Sequence, residues 1–265
     1  MDGKHIITHV TPNKYFGILE RFVLANFDTP AHDGKVIVIG EYIFRNGDYF
    51  RKLYPGKRIV FYNWEQMVGN NNYFNLAEAI KNLKTADEVW DYDYLNVDFL
   101  RWYGVEVDAI YPFTYTPELA DLPETVQNPE IDVLLFGYLP EIRLRKMAKI
   151  MPHLYHNYRV MILSGFDRSQ QAKYIANSKI ILNLHGLEPY CRQEQERIGY
   201  MLINGKCVLS EQSQVNYFGD AIVQAPLDQL GERIMDLIDL SSWRVQAKTG
   251  AYIFKNNLQR IWETK

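Results

Sequence analysis

Apolar residues recur along this chain in short β-rich runs separated by stretches with helical spacing. In the first half the runs "HIITHV" (5–10), "KVIVIG" (35–40), "RIVFYN" (58–63), "EVWDY" (88–92) and "VDAIYP" (107–112) predict strands. Between them, 15–26, 73–84 and 94–103 carry apolar side chains at helical intervals. A polar stretch with Pro117, Pro123 and Pro129 then reads as a linker. The pattern restarts with "DVLLFG" (132–137), "YRVMILSG" (158–165), "KIILNLH" (179–185), "KCVLSE" (206–211) and "AIVQA" (221–225), with helices expected over 141–151, 168–177, 190–204 and 227–239. Continuous apolar strands alternating with helices mean parallel sheets covered on both faces. The expected class is therefore α/β, with two Rossmann-like parallel-sheet domains facing a cleft. The boundaries are 1–123 and 124–242, with a final helix over 243–265 that caps a domain or crosses back to the first.

Parallel sheets bind ligands beyond the carboxyl ends of their strands. Asn183, His185, Ser210 and Glu211 stand at such ends in the second half, and Tyr62, Asn63 and Glu65 in the first. One polar residue at a strand end is unremarkable, but several along one edge mark a site.

Composition narrows the chemistry. A chain of 265 residues that is 47% hydrophobic buries a sizeable core, and its net charge of −3 argues against a uniformly basic binding surface. Its two cysteines, Cys191 and Cys207, form no metal or disulfide framework, which points to a reduced, cytoplasmic setting. The start "MDGKHIITHV" lacks a secretory apolar core, and no run approaches a membrane span. No strand is followed by G-x-G-x-x-G, and no G-x-S-x-G elbow is present. "GYMLINGKC" has the wrong spacing and context for a phosphate loop. His153 and His156 have no carboxylate pair that suggests zinc.

The phrases "FYNWEQM" (61–67), "ADEVWDYDYLN" (86–96), "YPFTYTPEL" (111–119), "DVLLFGYLPEIR" (132–143) and "ILNLHGLEPYCRQEQERIGYMLINGKCVLSE" (181–211) follow one another in this order. In that order they resemble a group of GT-B-type glycosyltransferases. The matching residues are Glu65–Gln66, Trp90–Asp91–Tyr92 with Asn96, Pro112 with Tyr115–Thr116–Pro117, Asn183 and His185, Glu194 and Arg197, Gly205, and Ser210–Glu211. The resemblance implies sugar transfer from a nucleotide-sugar donor, most simply a UDP-sugar co-substrate, with no cofactor and no metal. It implies donor contacts from Arg143, Asn183, His185, Glu194, Arg197, Ser210 and Glu211. For the base that takes the acceptor proton, Glu65 comes first, followed by Asp91 and His9. One departure stands out: where relatives carry a ribose-binding glutamate five residues before the glycine, this chain has Tyr200.

The resemblance implies a glycan or small-molecule acceptor, or else a hydroxymethylated base of DNA, since some viral base-glucosylating enzymes share the GT-B layout. The DNA reading rests on "FRNGDYFRKLYPGKR" (44–58), where Arg51, Lys52, Lys57 and Arg58 would line a groove beside Glu65. Outside enzymology, the alternative is a non-catalytic module that binds a sugar nucleotide or nucleic acid.

Overall fold

The computed structural model describes residues 4–10, 17–68, 74–165, 168–187 and 192–257. The chain divides into two compact units, Met1–Glu118 and Leu119–Lys265.

In the first unit β1 (Ile7–Val10), β2 (Lys35–Ile39), β3 (Arg58–Asn63), β4 (Glu88–Asp91) and β5 (Ala109–Ile110) form one sheet with every neighbour parallel. Helices α1 (Gly17–Phe27), α2 (Gly47–Leu53), α3 (Leu76–Leu83) and α4 (Tyr94–Trp102) lie between the strands in sequence. The strands run β1-β2-β3-β4-β5 across the sheet without reversal. Val36, Val38, Ile59, Phe61 and Val89 pack one core with Phe50, Ile80, Leu83 and Leu100 from the helices. Asn46, Asn75 and Asp93 accept backbone N–H bonds at the starts of α2, α3 and α4, as short polar N-caps do.

The second unit contains β6 (Ile131–Phe136), α5 (Glu141–Leu154), β7 (Val160–Leu163), α6 (Arg168–Ala176), β8 (Ser178–Asn183), α7 (Gln195–Ile203), β9 (Cys207–Glu211), β10 (Val223–Ala225), α8 (Leu230–Asp239) and α9 (Trp243–Asn257). Its parallel sheet has the order β10-β9-β8-β6-β7. Here the order does reverse. β6 lies between β7 and β8, so the chain leaves β6 toward one side and later returns on the other. Such a reversal opens a crevice at the carboxyl ends of the two central strands.

One expectation changes in the structure. The proline-bearing stretch is more than a linker, because its second half belongs to the second unit. Asn204 receives the Leu122 N–H at 2.8 Å and donates to the Leu119 carbonyl at 3.0 Å, while the Tyr200 hydroxyl donates to Asp121 at 2.6 Å. Lys206, 2% exposed, donates to the Pro123 carbonyl at 2.7 Å and to Thr125 Oγ1 at 3.1 Å, and burial lowers its pKa to about 8. The Tyr200 that departs from the family pattern is therefore engaged in anchoring this segment. α9, expected either to cap a domain or to cross back, packs within the second unit and buries Trp243 and Phe254; residues 258–265 lie outside the described ones. No helix among the described residues is long and apolar enough to cross a membrane.

The seat of α9 is tight. A Cβ on Gly250 would come within 2.2 Å of the Ala221 carbonyl oxygen, and backbone cannot yield as a flexible side chain can. Gly250→Ala should lower the free energy of unfolding by about 1–3 kcal/mol, measured by chemical denaturation. An unchanged midpoint would mean that α9 is not held at this contact.

Candidate functional site

Register decides which residues meet at the strand ends. In the first sheet Asn63 of β3 pairs with Asp91 of β4, both completely buried, and Asn63 Nδ2 donates to Asp91 Oδ2 at 2.6 Å. Asp91 Oδ1 accepts from the Asp93 N–H at 2.8 Å and from Asn96 Nδ2 at 3.0 Å. The two asparagines then hold the turn after β3. The Glu65 carbonyl accepts from Asn63 Nδ2 at 3.1 Å and from Asn96 Nδ2 at 2.9 Å, and the Glu65 N–H donates to Asn63 Oδ1 at 2.9 Å. Asn96 Oδ1 takes the Met67 N–H at 3.0 Å, and the buried Tyr42 hydroxyl donates to Asn63 Oδ1. Asp91 is thus the hub of a backbone clamp. Burial pushes its pKa up to about 8 against the three hydrogen bonds its carboxylate accepts.

Glu65 differs in kind. The clamp takes its backbone, and its half-buried carboxyl is raised to about 7 by burial as the resolved cause. A carboxyl poised near neutrality on an immobilised backbone has the properties of a general acid or base. His9 is half-buried, with Nδ1 2.8 Å from the Tyr54 hydroxyl and its ring against Phe50. The loop after it, 11–16, lies outside the described residues, as does Cys191. Cys207 is buried, with its thiol pushed up to about 12, so it stays protonated. Trp90 and Tyr92 act in packing: Trp90 lies against Phe27, Tyr62 and Tyr111, and Tyr92 stacks on Trp64.

The basic cluster falls elsewhere. Arg51 bonds Thr85 O at 2.8 Å, Asp87 at 2.7 Å and Asp48 at 2.9 Å, and Arg58 pairs with Glu88 at 2.8 Å. Asp87 and Glu88 stand where β4 begins, and Arg58 where β3 begins. This is the amino edge of the sheet. At about 3.3 Å per residue, Arg58 is roughly 16 Å along β3 from Asn63. The expected groove beside Glu65 is therefore not formed by these residues. Lys52 and Lys57 are exposed.

In the second sheet the switch point gathers the predicted residues. Asn183 of β8 pairs with Ser210 of β9, both completely buried, and Asn183 Nδ2 donates to Ser210 Oγ at 3.1 Å. Arg143, in the first turn of α5, spans the crevice. Its Nη1 donates to the Tyr138 carbonyl after β6 at 2.5 Å, and its Nε donates to the Leu184 carbonyl after β8 at 2.7 Å. Its Nη2 pairs with Glu194 Oε1, whose Oε2 meets Arg197 Nη1 at 2.5 Å. Arg197 also lies over the Phe136 ring and 3.5 Å from Asn183 Oδ1. Burial lowers its pKa to about 10, which leaves it charged at neutral pH.

Two sequence expectations are refined here. α7 begins at Gln195, so Glu194 is the residue before its first turn. The Glu194–Arg197 pair is also no free surface pair, since it shares its carboxylate with a second, buried arginine.

Lys146, one turn beyond Arg143, escaped the sequence reading. It is 3% exposed, lies 2.8 and 3.0 Å from the two Glu211 oxygens, and is 3.4 Å from the His185 carbonyl. Its signal was positional: 143, 146, 147, 150 and 154 recur on one buried helix face, and a lysine there demands a partner. Glu211 Oε2 in turn accepts the His185 N–H at 3.0 Å. His185 Nε2 faces the Glu211 and Gln212 carbonyls at 3.0 and 3.2 Å, so the ring carries its proton there. Burial is the leading cause that lowers its pKa, keeping it neutral.

No protein-family model matches the chain, and no curated protein matches it in sequence. Solved structures do match in shape. T4 phage BGT in complex with its UDP-glucose substrate superposes with a TM-score of 0.54 at 9% identity, over 97% of this chain and 96% of that one. A UDP-forming α,α-trehalose-phosphate synthase from Burkholderia xenovorans, with glucose-6-phosphate, gives 0.54 at 11% identity over 93% and 77%. This is the GT-B fold. S. aureus TarM, in complex with fondaparinux, α-GlcNAc-glycerol and UDP, shares the GT-B fold at a TM-score of 0.52 and 11% identity, over 84% of this chain. The chain spans about half of that protein, 52% of its length. At such identities the likeness establishes the fold alone.

Lys146→Met would leave the Glu211 carboxylate buried without its cation. We expect a loss of about 3–5 kcal/mol of stability, read from denaturant melts. A loss below about 1 kcal/mol would show that water replaces the ammonium.

Proposed function

We propose that the protein is a glycosyltransferase that moves a sugar from a nucleotide-sugar donor, a UDP-sugar, to an acceptor hydroxyl. The observation that carries this reading is the pair Arg143 and Arg197 at the switch point of the second sheet of a GT-B fold. In glycosyl transfer the sugar C1–O bond to the diphosphate breaks and leaves negative charge on a phosphate oxygen. The acceptor oxygen bonds to C1 and gives up its proton. Two fixed guanidiniums suit the leaving diphosphate through charge-assisted, bidentate hydrogen bonds, without requiring a metal ion. Asn183, His185, Ser210 and Glu211 form the floor of the donor site, and Lys146 holds Glu211 and His185 in place.

In this reading the proton goes to Glu65. Asp91 is committed to the clamp and His9 to Tyr54, so both serve best as support. For the acceptor we put a glycan or small-molecule hydroxyl first, because Arg51 and Arg58 are engaged by carboxylates at the opposite edge from Glu65. A DNA acceptor would rest on the exposed Lys52 and Lys57. Transfer to hydroxymethylcytosine DNA in preference to glycosides would reverse that order.

Calorimetry with nucleoside diphosphates should detect UDP binding, and Arg197→Ala should weaken UDP by about tenfold or more while sparing uridine. Equal losses on both would remove Arg197 from the phosphates. Binding without any donor turnover would favour a non-catalytic module.

Glu65→Gln should preserve UDP affinity and lower turnover by about 10²–10⁴-fold, with EDTA present throughout. The pH dependence follows from the sign of the shift. A base works as the carboxylate, so activity should be low below the raised pKa and rise as pH passes through about 7. Near-native turnover, or a rate that falls over that range, would remove Glu65 from the role.

A further inference from the structure

Glu194 is held by two guanidiniums that do not need it for their own placement. Arg143 is fixed from behind by the Tyr138 and Leu184 carbonyls. Arg197 rests on the Phe136 ring and on the backbone of Gly137, whose φ of +109° only glycine adopts readily. A Cβ on Gly137 would lie 2.7 Å from Arg197 Nη2, and one on Gly186 would lie 3.2 Å from Arg143 Nη2. The chain thus provides side-chain-free surfaces where both cations lie.

Glu194 has no comparable seat. It stands just before α7, where a polar side chain commonly caps the helix, yet it makes no cap hydrogen bond. Its side chain is 26% exposed, against 6% for Arg143 and 17% for Arg197. A carboxylate and a phosphate present the same forked acceptor geometry to guanidinium, and the phosphate carries more charge.

We infer that Glu194 is a stand-in anion. It occupies the oxyanion position between Arg143 and Arg197 in the free protein and gives way to a diphosphate group. The ligand's identity as a nucleotide rests on the function proposed above; the competition between carboxylate and diphosphate does not. Glu194 is then a residue that sets affinity by occupying its own protein's site. It also lends both buried cations a carboxylate when no ligand is present.

An occupied site binds with apparent affinity reduced by the fraction of molecules in which it is free. Glu194→Gln keeps the size of the side chain and removes its charge. It should bind inorganic pyrophosphate and UDP more tightly than the native protein, on the order of tenfold if the site is free in about a tenth of molecules. Uridine should bind as before. Glu194→Asp, one methylene too short to span both guanidiniums, should move in the same direction by less. Unchanged or weaker pyrophosphate binding in these variants would overturn the inference and make Glu194 a positioning residue for the arginines.

Should either variant fold poorly by thermal melting, the native protein crystallised with pyrophosphate decides. The Glu194 carboxylate should be found off both guanidiniums with the anion between them. Pyrophosphate bound while Glu194 still bridges both arginines, or no pyrophosphate bound, would overturn the inference. Native protein that binds pyrophosphate but no nucleoside diphosphate would count against the nucleotide reading alone.

Discussion

Charge buried at the carboxyl edge of a parallel sheet is the constraint around which the second unit is built. Removing an ion from water costs several kcal/mol even after relaxation, so each buried charge here has required a partner placed by the backbone. Lys146 faces Glu211, and Arg143 and Arg197 share Glu194. Within these pairings three cations meet two carboxylates. In the function proposed above, these cations at the reversal of strand order are what an anion would meet. The ordinary parts of the fold serve it: β8 and β9 set the register that joins Asn183 to Ser210, and α5 presents Arg143 and Lys146 one turn apart.

The first unit meets a related problem with neutral groups. Its strand order has no reversal, so no crevice follows from topology. Instead Asn63 and Asn96 convert the buried Asp91 into a clamp on the backbone of Glu65, leaving that carboxyl outside the network and raised toward neutrality. Immobilised backbone beside a free acid is what proton transfer demands. In the proposed function, the second unit's edge supplies fixed positive charge and the first unit's a tuned carboxyl.

Much of this was legible in the sequence. Continuous apolar runs ending on Asn63, Asp91, Asn183 and Glu211 announced buried parallel strands and their polar edge, because residues on such strands have no solvent face to alternate toward. Less legible were contacts made by sequence-distant partners. Lys146 drew no reading from the sequence, because its partner Glu211 stands 65 positions on. Arg51 and Arg58 read as a basic groove because Asp87 and Glu88, which engage them, belong to another strand. The proline stretch read as a linker because the side chains that anchor it, Tyr200, Asn204 and Lys206, follow some eighty residues later. Periodicity reports local burial, and it carries no information about such pairings.

The central claim is that Arg143 and Arg197 act together on one diphosphate. A double-mutant cycle tests it directly, using Arg143→Gln, Arg197→Gln and the double variant, with UDP and uridine affinities measured by calorimetry. If both guanidiniums grip the same group, the two losses on UDP are coupled by about 0.5–3 kcal/mol and uridine binding is unaffected. Strictly additive losses on UDP, or equal losses on uridine, would contradict the account.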